Sequence, residues 1–154
     1  MSDCRTPACP DKRSLTAPCG LDCFNCTYHR LNITEQITRA IAERTGLSLE
    51  DIPCKGCIDQ GGHCPWFKSC DTYDCVTRKE FRFCFECPDF PCQRLQPAAD
   101  GAERFPHNMK VYNLCRMKAV GVERWAEEES RDIRARYFGG RFVVGRGPQL
   151  LEKP

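Results

Sequence analysis

Cys19, Cys23 and Cys26 stand within eight residues, "CGLDCFNC", as C-x3-C-x2-C. Cys54/Cys57 and Cys84/Cys87 repeat the two-residue gap, and Cys64, Cys70, Cys75 and Cys92 lie among them. Two intervening residues let both sulfurs of a pair reach one ion, and thiolates are ligands for zinc and for iron–sulfur clusters. One such pair also suits a redox dithiol. Three of them with five further thiols nearby point to metal.

Of the fourteen cysteines, eleven are candidate ligands: Cys19, Cys23, Cys26, Cys54, Cys57, Cys64, Cys70, Cys75, Cys84, Cys87 and Cys92. Zinc, in two or more ions, is the expected cofactor, with a [4Fe-4S] cluster as the alternative. The ferredoxin run C-x2-C-x2-C-x3-C-P is absent. So is the glycine after the second cysteine of a zinc-ribbon knuckle, because Thr27, Ile58 and Pro88 occupy those places. Radical enzymes that use S-adenosylmethionine share C-x3-C-x2-C but carry an aromatic residue directly before the last cysteine. Here that residue is Asn25, and the chain has no run of βα units. Pairing stays open at this level; the working grouping joins Cys23/Cys26 to Cys54/Cys57 and sets a second cluster around Cys84, Cys87 and Cys92.

Other chemistry is thin. His63 beside Cys64 reads as a loop histidine, and His29 and His107 read as surface or helix-end residues. Asp22 is either a group supporting the thiolates or a turn residue. Trp66 and Phe67 read as packing beside the cysteine loops. No Ser/His/Asp set, phosphate loop or paired carboxylates stand out, so no catalytic residue is assigned. Arg131, Arg134, Arg136, Arg141 and Arg146 alternate with Tyr137, Phe138 and Phe142, a pattern that binds single-stranded nucleic acid. From residue 131 onward six basic and two acidic residues leave a net +4, but Glu127 to Glu129 stand ready to pair with those arginines. Nucleic acid is therefore not favoured, and a protein partner is.

Composition explains the need for such links. Cysteine makes up about 9% of the residues, the level of a disulfide or metal scaffold. Without it the 41% apolar content falls to about a third, too little for a large core. "MSDCRTPACPDKRSLTAP" has no apolar leader, and no apolar run is long enough to span a bilayer. The expected compartment is the cytoplasm, where thiols are reduced. The formal charge of +2 omits thiolates. Two four-cysteine zinc sites, each −2, would carry it to −2, which removes any general electrostatic case for nucleic acid.

The expected fold is mostly α, with irregular metal-stapled loops and little or no regular sheet. Residues 1–17 form a mobile arm, 18–138 a single cysteine-rich metal-binding domain and 139–154 a tail. Ile33, Ile37 and Ile41 share a helix face, with Asn32 and Glu35 as a capping box and Gly46 as the stop. Cys19, Cys23 and Cys26 have helical spacing after Pro18. Short helices are expected near 70–80 and from Pro91. Asn108 caps a helix to Val120, Gly121 breaks it, and Val122, Trp125, Ala126, Ile133 and Tyr137 form the stripe of a second helix in a hairpin. A strand is expected at Arg141–Val144.

"CGLDCFNC", "CKGC", the C-x4-C of Cys70 and Cys75, and "CFECPDFPCQRL", in that order, resemble the domain-of-unknown-function family numbered 3795. The likeness covers residues 18–95, and "NLCRMKAVGVERW" is similar to its downstream helices. The resemblance implies that ten of the eleven candidates form a shared set, Cys64 standing wider from Cys70 than is usual. It implies that Cys4, Cys9 and Cys115 are particular to this chain. No reaction follows from it.

Overall fold

A computed structural model of the chain describes residues 11–150. The fold is mostly helical, with α1 (Glu35–Thr45), α2 (Asp71–Arg78), α3 (Met109–Val120), α4 (Val122–Arg124) and α5 (Ser130–Gly139). A two-stranded antiparallel sheet follows, β1 (Gly140–Val143) with β2 (Gly147–Leu150). Among the described residues no helix is long and apolar enough to cross a membrane. Short 3-10 turns at Cys23–Asn25 and Cys84–Glu86 carry two of the cysteine pairs.

The helix α1 ends where the glycine places it, Gly46 adopting φ 73°. Its start differs from expectation. Thr34 is the N-cap, accepting from the Ile37 amide at 3.3 Å. Asn32 is drawn away to donate to the carbonyls of Phe24 (2.7 Å) and Cys26 (2.9 Å), so it braces the first cysteine motif. α3, by contrast, starts without a side-chain cap, because Asn108 exchanges two 2.9 Å bonds with the Ala98 main chain. From Pro91 the chain makes only a 3-10 turn, Gln93–Leu95, rather than a longer helix.

α4 and α5 are joined through a π-helical stretch, Trp125–Glu129. The extra residue lets the ladder turn without breaking. Val122 is buried before it, Trp125 and Ala126 within it and Ser130 after it, while Ile133 and Tyr137 are only half-buried. The core forms where this helix meets α3 and the cysteine loops. Trp125, Phe83, Leu95, Leu114 and Met117 are its centre, and Cys19, Cys23, Cys57 and Cys84 pack onto it.

The core takes in Leu15, Thr16 and Ala17, which the sequence had assigned to the arm. Arg82 holds this segment by donating to the carbonyls of Arg13 (2.9 Å) and Thr16 (3.0 Å), its guanidinium over the Phe83 ring at 4.4 Å. The rest of the arm, with Cys4 and Cys9, lies outside the described residues. Trp66 and Phe67 are not core packing: they are 43% and 44% exposed, and the Trp66 ring stands edge-to-face with Tyr28 at 5.5 Å.

Candidate metal centres

The first motif is a tight loop, not a helix face. An antiparallel bridge joins Thr16 to Asp22, and Gly20 turns the chain at φ 88°. A Cβ on Gly20 would lie 2.8 Å from Leu114 Cγ and 2.9 Å from the Lys110 carbonyl oxygen, so only glycine lets the turn lie on α3. The Gly20 carbonyl accepts from buried Asn113 at 2.8 Å. This seats Cys19 in the core and puts Cys23 at the start of a 3-10 turn that closes with Cys26 N–H to Cys23 O at 3.0 Å.

The second motif is strapped beside it. Arg30 N–H donates to Cys54 O (2.8 Å) and Cys54 N–H to Tyr28 O (2.9 Å), which aligns His29 with Cys54. Gly56 N–H points at Cys54 Sγ, and Trp66 N–H at Cys64 Sγ, each at 3.4 Å. Amides aimed at sulfur favour the thiolate, the form that binds metal.

The thiols fall into three neighbourhoods. In the first, the Cys23 thiol hydrogen-bonds Cys57, which lowers Cys57 to about 7; burial opposes this and the Lys110 ammonium assists. Cys23 is pushed up, first by that bond and then by burial. Burial raises Cys19 to about 11, with the charges of Cys57 and Cys70 adding. In the second, burial raises Cys54 to about 11 and also raises Cys64, and charge on Cys26 and Cys57 reaches both. In the third, burial raises Cys84 to about 12, with Cys19, Cys92, Cys75 and Cys87 adding. Thiols held this high are protonated, so a metal would release protons on binding.

That third group has a cavity. Cys75, Cys84, Cys87 and Cys92 line a space of about 30 Å³ between α2 and the loops after it. Lys79 stands at its rim, donating to Cys87 Sγ at 3.5 Å and to Asp89 at 2.5 Å. Cys87 and Cys92, five apart, line the same cavity as Cys75, whereas Cys70, five before Cys75, is not in its lining. The twelve described cysteines are all free thiols, and exposed Cys115 on α3 is none of the eleven. Among the described residues no three Cys, His, Asp or Glu side chains stand as a ready-made metal site.

Several participants were not legible in the sequence. His29 is no surface residue: it is 1% exposed, its Nδ1 receives the Leu31 amide at 3.4 Å, and its Nε2 has no hydrogen-bond partner. The C-x2-H spacing from Cys26 was the available signal. His63 is an exposed loop residue, and His107 sits at a helix end with Nε2 2.8 Å from the Gln96 carbonyl. Asp22 is fully buried and paired with Arg134. Glu128 and Glu129 pair with Arg124 and Arg116, not with the arginines after residue 130.

No curated protein and no solved structure gives a significant match to this chain. Residues 15–97, more than half of the chain and the span of all eleven candidate thiols, match one protein family. The chain belongs to the family described as "Protein of unknown function (DUF3795)".

Proposed function

We propose that this protein is a cysteine-thiolate metal module, with zinc as the structural ion, that acts by presenting a stapled surface to a protein partner in the cytoplasm. One observation carries the reading: Cys75, Cys84, Cys87 and Cys92, drawn from two stretches of chain, all contribute to the lining of one cavity of about 30 Å³, with Lys79, Asp89 and apolar residues such as Val76 and Leu95 beside them. A space of that size takes one or two water-sized groups, each needing roughly 10–15 Å³. It suits one ion ringed by four sulfurs better than a cluster that brings its own sulfides. Zinc asks only for tetrahedral sulfur, which loops without regular structure supply once they close around it.

The small core supports the same reading. Such a chain gains from coordinate cross-links, and a structural zinc site contributes on the order of 10 kcal/mol of apparent folding energy. Tyr28, Trp66 and Phe67, exposed at and beside the Cys64 loop, are the apolar groups such a module would hold out to a partner. The test is elemental analysis of anaerobically purified full-length protein, followed by chelation under circular dichroism. Two or more zinc per chain, with loss of folded signal when zinc is stripped, is the expected result. A stable, well-folded apoprotein overturns the proposal, and a brown protein containing iron replaces zinc with a cluster.

A further inference from the structure

The run Glu127 to Glu129 does not neutralise the arginines that follow it. Glu128 is held by Arg124 and Glu129 by Arg116. Of the five arginines after residue 130, Arg134 goes to Asp22 and Arg136 to Asp132. Arg131, Arg141 and Arg146 are exposed and, among the described residues, join no ion pair. Positions 133 to 150 contain no acidic residue.

The same stretch turns apolar groups outward. The register of β1 on β2 sets Phe142 opposite Pro148 and Gly140 opposite Leu150, so Phe142, Pro148 and Leu150 share one face of the hairpin. That face is open: Phe142 is 73% exposed, and Pro148 and Leu150 are exposed with it. Val143 and Gln149, on the opposite face, are half-buried. On α5, Arg131 and Phe138 are seven residues apart, which puts them on one side of the helix and about 10 Å apart along its axis. Phe138 is exposed, with the Arg134 guanidinium 5.3 Å from its ring centre. The end of α5 is tied down, because the Tyr137 hydroxyl meets the carbonyls of Ala102 (2.8 Å) and Phe105 (2.9 Å). A Cβ on Gly140 would strike the Arg136 carbonyl, so the hairpin turns directly off that fixed end.

We infer that α5 and the β-hairpin form a docking surface for single-stranded nucleic acid, with Arg131, Arg141 and Arg146 meeting phosphates and Phe138 and Phe142 stacking on bases. Unpaired arginines without acidic neighbours are complementary to a polyanion. Exposed rings select a polyanion with unpaired bases, since each base offers a flat face that a duplex hides. A lipid surface asks for apolar groups gathered on one side with cations at the rim. Here cations and rings alternate along the helix and on into the hairpin. The surface contains no cysteine, so the inference goes beyond the metal-module reading and does not depend on it.

Fluorescence anisotropy of a short labelled oligothymidylate with the full-length protein, at several salt concentrations, tests it. Binding that weakens with salt is expected, with a duplex of the same length competing less well than the unlabelled single strand. Phe142→Ala should weaken binding about 10-fold at an unchanged salt slope. Arg141→Gln and Arg146→Gln should each lower the slope of log affinity against log salt by about 0.7. Arg44→Gln, which removes a charge from α1, should leave that slope as it is. All four side chains are exposed, so the variants keep the fold. The inference is overturned by an absence of binding, by a duplex that competes as well as the single strand, or by Phe142→Ala binding as tightly as the parent chain. Cosedimentation with phosphatidylserine vesicles in place of oligonucleotide binding also overturns it and gives the face to lipid. Metal content measured on the same sample decides the metal-module reading separately.

Discussion

Arg134 on α5 reaches back across 112 positions of sequence to the carboxylate of Asp22, which is fully buried between Leu21 and Cys23, with Nη1 and Oδ1 2.5 Å apart. Asn25 completes the arrangement, donating to Asp22 at 3.0 Å and to Ser130 at 2.9 Å. The first cysteine loop is thereby fastened to the last helix through a buried carboxylate.

Removing one partner of such a pair leaves a buried charge alone. Arg134→Met is expected to destabilise the protein by about 3–5 kcal/mol, and Asp22→Asn combined with it should recover much of the loss. Burial already holds the Asp22 carboxyl above its ordinary value near 3.8, with Arg134 pulling it back. The variant raises it further. Between the ordinary and the raised value the folded state binds more protons than the unfolded one, so stability falls as pH rises through that window. The deficit of Arg134→Met against the parent chain should therefore shrink on acidification, and urea titrations at several pH values measure it. A deficit that does not change with pH would count against the buried carboxylate as its source.

Gly20→Ala should cost about 1–3 kcal/mol, because the residue is held at positive φ and its new methyl meets Leu114 and the Lys110 carbonyl. Thermal unfolding followed by circular dichroism reads this directly. An unchanged melting temperature would mean that the turn does not rest on α3.

Lys79, one of two cations lining the four-thiol cavity with Arg94, donates to Cys87 Sγ. A hydrogen bond to a ligating sulfur holds and tunes the thiolate, and loss of such outer partners commonly lowers metal affinity 10–100-fold. Lys79→Met is expected to weaken zinc binding by about that factor, in competition against a chromophoric chelator, with the fold kept. Equal affinities would leave Lys79 as a partner of Asp89 alone.

Trp125 is completely buried, its ring set edge-on to Phe24 at 6.2 Å, and its Nε1 has no partner. Trp125→Ala should cost about 3–5 kcal/mol by leaving a cavity under the first cysteine loop. Trp125→Phe should cost much less, since it gives up no hydrogen bond. Urea midpoints for the two variants should be well separated; coincident values would show that ring volume is not what matters there.

Local pattern was enough for the helices that obey local rules. α1, with isoleucines on one face and Gly46 at its end, α3 closing at Gly121, and the run from Val122 were all legible, as was a strand starting near Arg141. So was the family, through the order of its cysteine motifs. Capping was less so: Asn32 and Asn108 have the right chemistry for caps but find better-placed carbonyls in distant loops. The spacing of Cys19, Cys23 and Cys26 also suits a helix, yet Gly20 and the bridge from Thr16 to Asp22 bend it into a loop.

Residue type and interval alone established that this chain concentrates thiols beyond any need of packing, and that its helices frame them. Only the folded chain decided which thiols become neighbours, that His29 is enclosed and that Asp22 meets Arg134. Spacing reports distance along the backbone, whereas coordination and ion pairing depend on distance through space, and loops without a repeating geometry leave the two unrelated until they pack.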